Sequence, residues 1–156
     1  MMSVFFAELA TLGPIGRYLP APGTAGSVLA LVAGFFLAKN SYIILFSASL
    51  IITILGMFAA DAYSRLTNTD DAGEVIIDEV AGQWLVLLCI PPTIDSVLLW
   101  YGAGFILFRL FDIIKPWPVS AAERLPGGIG VMADDVVAGT LAGITLLMAQ
   151  LFIYPV

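Results

Sequence analysis

A chain of 156 residues fits one domain, residues 1–156, but it is 60% hydrophobic and only 12% charged, about half the charge of a soluble domain. Its mean hydropathy of +1.02 is that of a membrane protein. Twelve acids against six bases exclude a nucleic-acid partner, which needs a basic face. The absence of histidine removes the commonest general acid–base and imidazole metal ligation together, so any chemistry falls to carboxylates, hydroxyls, Lys and Arg.

Residues 1–12 are apolar but carry Glu8 and no basic leader, so they are expected to stay as an interfacial helix rather than be cleaved as a signal. Uncharged stretches follow at 18–38, 40–60, 80–94, 96–108 and 136–156, and a membrane span needs about 20 residues. The first opens with Pro20, Pro22, Gly23 and Gly26, which predicts a short helix starting near Gly26 and Ser27. The second and the last are full length. The third and fourth reach full length only if helix continues through 75–79 and 109–114, which places acids inside the helical ends. Cys89 lies in the apolar run 84–90 and reads as a small buried hydrophobe. The expected fold is all-α, a multi-pass transmembrane helical bundle with short cytoplasmic-face loops.

The basic residues orient it. If Arg17 is cytoplasmic, the chain crosses out to Lys39, back to Asp61, out to Asp95, back to Arg109 and out after Asp135, leaving five of the six bases inside. That threading places 61–79 and 109–135 on one membrane face. Gly139 and Gly143 form a small-xxx-small pair whose close packing would bring the two acidic regions together.

Four segments carry the chemistry. Asp71-Ala-Gly-Glu74-Val-Ile-Ile-Asp78-Glu79-Val-Ala-Gly82 pairs Asp71 with Glu74 at i,i+3 and Glu74 with Asp78 at i,i+4. On a helix those like charges share a face and call for a cation between them, and a hard divalent ion such as magnesium favours carboxylate oxygens. Phe108-Arg109-Leu-Phe-Asp112-Ile-Ile-Lys115-Pro-Trp-Pro118 sets a cation, an anion and a cation at three-residue steps on an apolar helix end, an arrangement that could hold a phosphate and its metal. Glu123-Arg124-Leu-Pro-Gly-Gly-Ile-Gly130-Val-Met-Ala-Asp134-Asp135 reads as a glycine-rich loop running into an acidic pair at a helix start, where one Asp but not both could serve as an N-cap. Pro22-Gly-Thr24-Ala-Gly-Ser27 offers amides and hydroxyls to an anion at a helix N-terminus. Cysteine phosphatase, haloacid-dehalogenase and CDP-alcohol transferase patterns are all missing.

Together, and in this order, the four segments resemble the bacterial phosphatidylglycerophosphatase A family over nearly the whole chain. The resemblance implies a magnesium-dependent, multi-pass inner-membrane phosphatase that converts phosphatidylglycerophosphate to phosphatidylglycerol. It places Asp71, Asp78, Glu79, Asp112, Asp134 and Asp135 on the family's acidic positions and Arg109 and Lys115 on its basic ones. Glu74 stays outside the pattern.

The expected roles follow. Asp71, Asp78, Glu79, Asp134 and Asp135 are the candidate magnesium ligands. Asp78, Glu79, Asp112, Asp134 and Asp135 are the candidate catalytic groups, with a metal-activated water or an aspartyl-phosphate at Asp112 or Asp134 both open. Thr24, Ser27, Arg109 and Lys115 are the candidate substrate contacts. A cation transporter and a non-catalytic membrane subunit are the competing readings; the first would want its acids at the membrane midplane.

Overall fold

In the computed structural model, which describes residues 2–69, 72–91 and 95–154, the chain is helices and turns with no strand among the described residues. The helices are α1 (Met2–Thr11), α2 (Pro14–Tyr18), α3 (Pro22–Asn40), α4 (Tyr42–Thr67), α5 (Ile77–Leu88), α6 (Val97–Ile114), α7 (Val119–Ala122) and α8 (Gly127–Ile153). Four of them, α3, α4, α6 and α8, are long and apolar enough to cross a membrane. Their outward faces show large apolar side chains, among them Val32, Phe36, Ile51, Phe58, Ile106, Leu147 and Leu151, as a lipid-facing surface requires. This is a multi-pass helical membrane protein.

Three expectations about the helices are corrected. Helix α3 starts at Pro22, not near Gly26, because proline at the first helical position loses only an N–H that would be unpaired anyway. The glycines of 127–130 form the first turn of α8 rather than a loop, so Asp134 and Asp135 lie two turns inside the helix and neither is an N-cap. The segment 72–76 is not helical, so Glu74 and Asp78 share no helix face. There the Ile76 N–H donates to the Ala10 carbonyl of α1 (2.9 Å) and the Val75 N–H to the Ala72 carbonyl (2.9 Å), which holds the chain in a turn ahead of Ile77.

Helix α5 is therefore 12 residues long, about 18 Å at 1.5 Å per residue, well short of a ~30 Å hydrocarbon core. The third uncharged stretch, expected to span, is instead a short helix buried at the centre, against α3, α4, α6 and α8. A helix that ends inside a bundle leaves carbonyls that no water reaches. Here the Gln150 side-chain amide donates to the Cys89 carbonyl (3.2 Å) and the Tyr42 hydroxyl to the Ile90 carbonyl. Further up, the Trp84 indole donates to the Ala30 carbonyl of α3 (2.8 Å).

A close crossing joins α5 and α8. A Cβ on Gly139 would lie 2.3 Å from the Gly82 carbonyl oxygen, and one on Gly143 would lie 2.6 Å from the Cys89 sulfur. The small-xxx-small pair thus brings the acidic segments together as expected. On its other flank Gly82 meets the Phe108 ring of α6 and the Asp135 carbonyl. Around this crossing lie two apolar clusters. One, with Leu45, Val86, Ile90, Trp100, Phe108 and Leu146, fills the half of the bundle away from the acids. The other, with Ala10, Ala60, Tyr63, Ile77, Ala81 and Met132, joins α1 to the acidic end. Helix α1 rests on α4 through Ala7 and Ala10 while Val4 and Phe5 stay exposed.

Gly139→Leu is expected to destabilise the protein by about 2 kcal/mol or more, because the added carbons meet backbone that cannot move aside. Gly102→Ala, where nothing lies within 4 Å of the new carbon, is expected to be neutral or slightly stabilising. Thermal unfolding of both variants in detergent checks the contrast; equal melting temperatures would show that the crossing is looser than described.

Candidate active site

The acidic residues reach the site from three helices. Asp78 and Glu79 are in the first turn of α5, Asp112 is in the last turn of α6, and Asp134 and Asp135 come from the buried face of α8. Gly23 and Ser27, on the first turns of α3, close the fourth side. Between them is an open cavity of about 260 Å³ walled by Asp78, Glu79, Asp112, Lys115, Asp134 and Asp135, with Gly23, Gly73, Gly127 and Gly130 at its edges.

Two cations divide the carboxylates into two groups. Arg109 donates to both oxygens of Glu79 and lies 3.0 Å from an Asp112 oxygen. The Ser27 hydroxyl completes the Glu79 cage, donating to its Oε2 (2.6 Å). Gly23 is needed beside it: a Cβ there would lie 2.3 Å from Glu79 Oε1 and 3.2 Å from the guanidinium. Lys115, just past the end of α6 in the left-handed conformation (φ 48°), turns its ammonium back to Asp134 Oδ2 (2.7 Å) and Glu123 Oε1 (2.6 Å). Burial disfavours that ammonium, but the two hydrogen-bonded carboxylates outweigh it and raise its pKa, so Lys115 is a permanent cation.

Three of the carboxylates also face one another. Asp112, Asp134 and Asp135 each present an oxygen within 4.8 Å of the others', a spacing that could hold a metal ion. Asp78 accepts from the Glu79 N–H (2.9 Å) and Asp134 from the Asp135 N–H (3.0 Å), which fixes each side chain against its own helix. Asp78 and Asp135 have no cationic partner among the described residues. Five carboxylates against Arg109 and Lys115 leave an excess of negative charge in a partly buried space, a situation that is costly without a cation. All-oxygen donors at this spacing fit a hard divalent ion such as magnesium.

The sequence-derived candidates are placed unequally. Asp78, Glu79, Asp112, Asp134, Asp135 and Lys115 line the one cavity. Arg109 stands behind its wall, with 15% of its side chain exposed against 28% for Lys115. Ser27 is buried and spends its hydroxyl on Glu79 and the Gly23 carbonyl. Thr24 is exposed and faces away, into a neighbouring apolar groove. Asp71 lies outside the described residues. Glu74 is exposed and accepts from the Tyr63 hydroxyl (3.1 Å), in keeping with its place outside the pattern. Two contributors were not singled out from the sequence. Glu123 is the second partner of Lys115, and its only signal is its place in the loop before the glycines. Gly23 admits the Glu79 and Arg109 pair, and its signal was the Pro-Gly pair that opens α3.

Comparison with known proteins places the chain in a family. The family model described as Phosphatidylglycerophosphatase A matches residues 8–150. A putative phosphatidylinositol-3-phosphatase of Bacteroides thetaiotaomicron is 38% identical over 136 residues, covering 83% of this chain and 84% of that protein. Phosphatidylglycerophosphatase A of Escherichia coli is 33% identical over 122 residues, covering 78% of this chain and 69% of that protein. The enzyme of the same name from Haemophilus influenzae is 35% identical over 140 residues, covering 86% and 82%. No solved structure matches the chain. The chain thus belongs to the phosphatidylglycerophosphatase A family.

Proposed function

We propose that the protein hydrolyses the terminal phosphomonoester of phosphatidylglycerophosphate, with magnesium, at the cytoplasmic face of a bacterial inner membrane. The observation that carries this reading is the convergence of Asp112, Asp134 and Asp135 beside Lys115 in an open cavity at one end of a lipid-facing bundle, in a member of this family. In the reaction water adds to phosphorus, the ester P–O bond breaks, and the alkoxide leaves as the glycerol hydroxyl of phosphatidylglycerol. A cation pathway would string its acids along the midplane, whereas these sit at one end.

Asp112, Asp134 and Asp135 would hold the magnesium, with Asp78 beside them. Held by these residues, magnesium would supply Lewis-acid neutralisation of phosphate charge. Lys115 is the more exposed of the two cations and part of the cavity wall, so it takes the phosphate oxygens as a point charge. Arg109 acts from behind, holding Glu79 and Asp112 in place through its fork of donors. Asp78 lines the cavity without a cationic partner among the described residues, which suits it to accept the proton of the attacking water.

The orientation rests on the bases. Arg17, Arg65, Arg109, Lys115 and Arg124 all lie at the end of the bundle that carries the cavity, and Lys39 lies at the other.

Purified protein is expected to release phosphate from phosphatidylglycerophosphate, to stop when the metal is chelated, and to resume with magnesium. Asp112→Asn and Asp135→Asn should each lower kcat about a hundredfold or more, while Lys115→Ala should raise KM about tenfold. Full activity in both Asn variants would show that the catalytic centre is elsewhere. For orientation, a cysteine at position 124 should react with a membrane-impermeant maleimide only after the cells are opened, and a cysteine at position 39 in intact spheroplasts. The reverse pattern would place the cavity outside.

A further inference from the structure

We propose that the groove between α2 and the first two turns of α3 seats an acyl chain of the lipid whose phosphate enters the acidic cavity. This deepens the lipid-phosphatase reading and rests on it.

The groove, of about 530 Å³, is walled by Ile15, Leu19 and Pro20 on one side and Ala25, Val28 and Leu29 on the other. Ala21 and Thr24 stand at its upper end, and Thr24 is its one polar side chain. It shares its segment of α3 with the acidic cavity. Gly23 faces Glu79 and Arg109, while Ala21, Thr24 and Ala25, its near neighbours, face the groove. The two spaces therefore lie back to back across a single helical turn, one lined by charge and the other by hydrocarbon. From there the groove follows α3 away from the cavity end as far as Leu29, a descent of about 12 Å at 1.5 Å per residue.

The walls are suited to a ligand's chain. Leu19, Val28 and Leu29 are all more than two-fifths exposed, and small Ala21 and Ala25 leave the depression between them. A five-residue α2 ending at Tyr18 and an extended turn at Leu19 keep this flank from being covered by a neighbouring helix. The substrate chemistry adds an independent argument. Relatives of the chain carry names with two different headgroups, glycerophosphate and inositol phosphate, and what those names share is the phosphatidyl part. A site that binds the phosphate in a cavity needs a second contact for the shared part, and this groove is beside it. Thr24, one residue from Gly23, gives the groove a hydroxyl at the end nearer the cavity, where the ester of an acyl chain would lie.

The test has two arms. Ala25→Phe fills the groove without touching the acidic cavity. In detergent micelles it should lower kcat/KM for dioleoyl phosphatidylglycerophosphate about tenfold or more, and change it less than about twofold for the deacylated, water-soluble glycerophosphoglycerophosphate. Equal losses on both compounds, or no loss on the diacyl one, would overturn the proposal. In the second arm the wild-type protein is placed in phosphatidylcholine vesicles that contain a diazirine-bearing acyl chain, carried either by phosphatidylglycerophosphate or by phosphatidylcholine at the same mole fraction. Adducts at Ile15, Leu19, Val28 and Leu29 should be several-fold more abundant from the first. Equal labelling would mean that ordinary bilayer lipid fills the groove, and the proposal would fall. Wild-type protein that releases no phosphate from the diacyl lipid would defeat the phosphatase reading instead, and the labelling arm would still decide the groove.

Discussion

The contact between the backbones of α5 and α8 at Gly82 and Gly139 is the constraint from which the site follows. Glycine on both helices permits this approach, and the Gly82 carbonyl lies 2.3 Å from the place a Cβ of Gly139 would take. One helical turn before Gly82 lie Asp78 and Glu79, and one turn before Gly139 lies Asp135 with Asp134 beside it. The crossing that sets the register of the helices therefore also sets the distance between the acidic pairs. Phe108, packed on the open side of Gly82, fixes α6 in the same way and carries Arg109 and Asp112 into place.

So close an approach of carboxylates works against folding. Arg109 and Lys115 relieve part of the repulsion, each bridging carboxylates from different helices or loops, and so act as cross-links as well as charges. Their placement differs with their burial. Arg109 is enclosed with Glu79 and Ser27, while Lys115 stands at the cavity wall. The carboxylates left over keep the space between the helices negatively charged.

The short central helix serves the same end. Because α5 is too short to cross a bilayer, its far end must be satisfied from within, and Tyr42 and Gln150 provide the donors from α4 and α8. Its near end begins where α1 takes the Ile76 N–H, so the start of α5, and with it Asp78 and Glu79, is positioned by the N-terminal helix. The acids are thus held at one end of the bundle, open to a headgroup, while α3, α4, α6 and α8 keep their outer faces in lipid.

Composition and patterning alone pointed to a helical membrane protein and to the gathering of its acidic segments at one end. Those properties are local or additive: hydropathy sums along a segment, the bias of basic residues counts loops, and four motifs in order carry a family likeness. Asp78, Glu79, Asp112, Asp134, Asp135 and Lys115 were all legible in this way, and the glycine pair in α8 foretold the close crossing. What the tertiary structure alone decided is which groups pair. Ser27 and Arg109 are turned inward onto Glu79, Thr24 faces a groove, and Asp112 joins Asp134 and Asp135, because the rotation of each helix about its axis is set by packing against the others and not by its own sequence. The lengths of α3 and α5 were misjudged for a related reason. A proline at a helix start costs nothing that is visible in spacing, and the hydrogen bond from Ile76 to Ala10 joins residues 66 positions apart, a separation at which no local pattern can act.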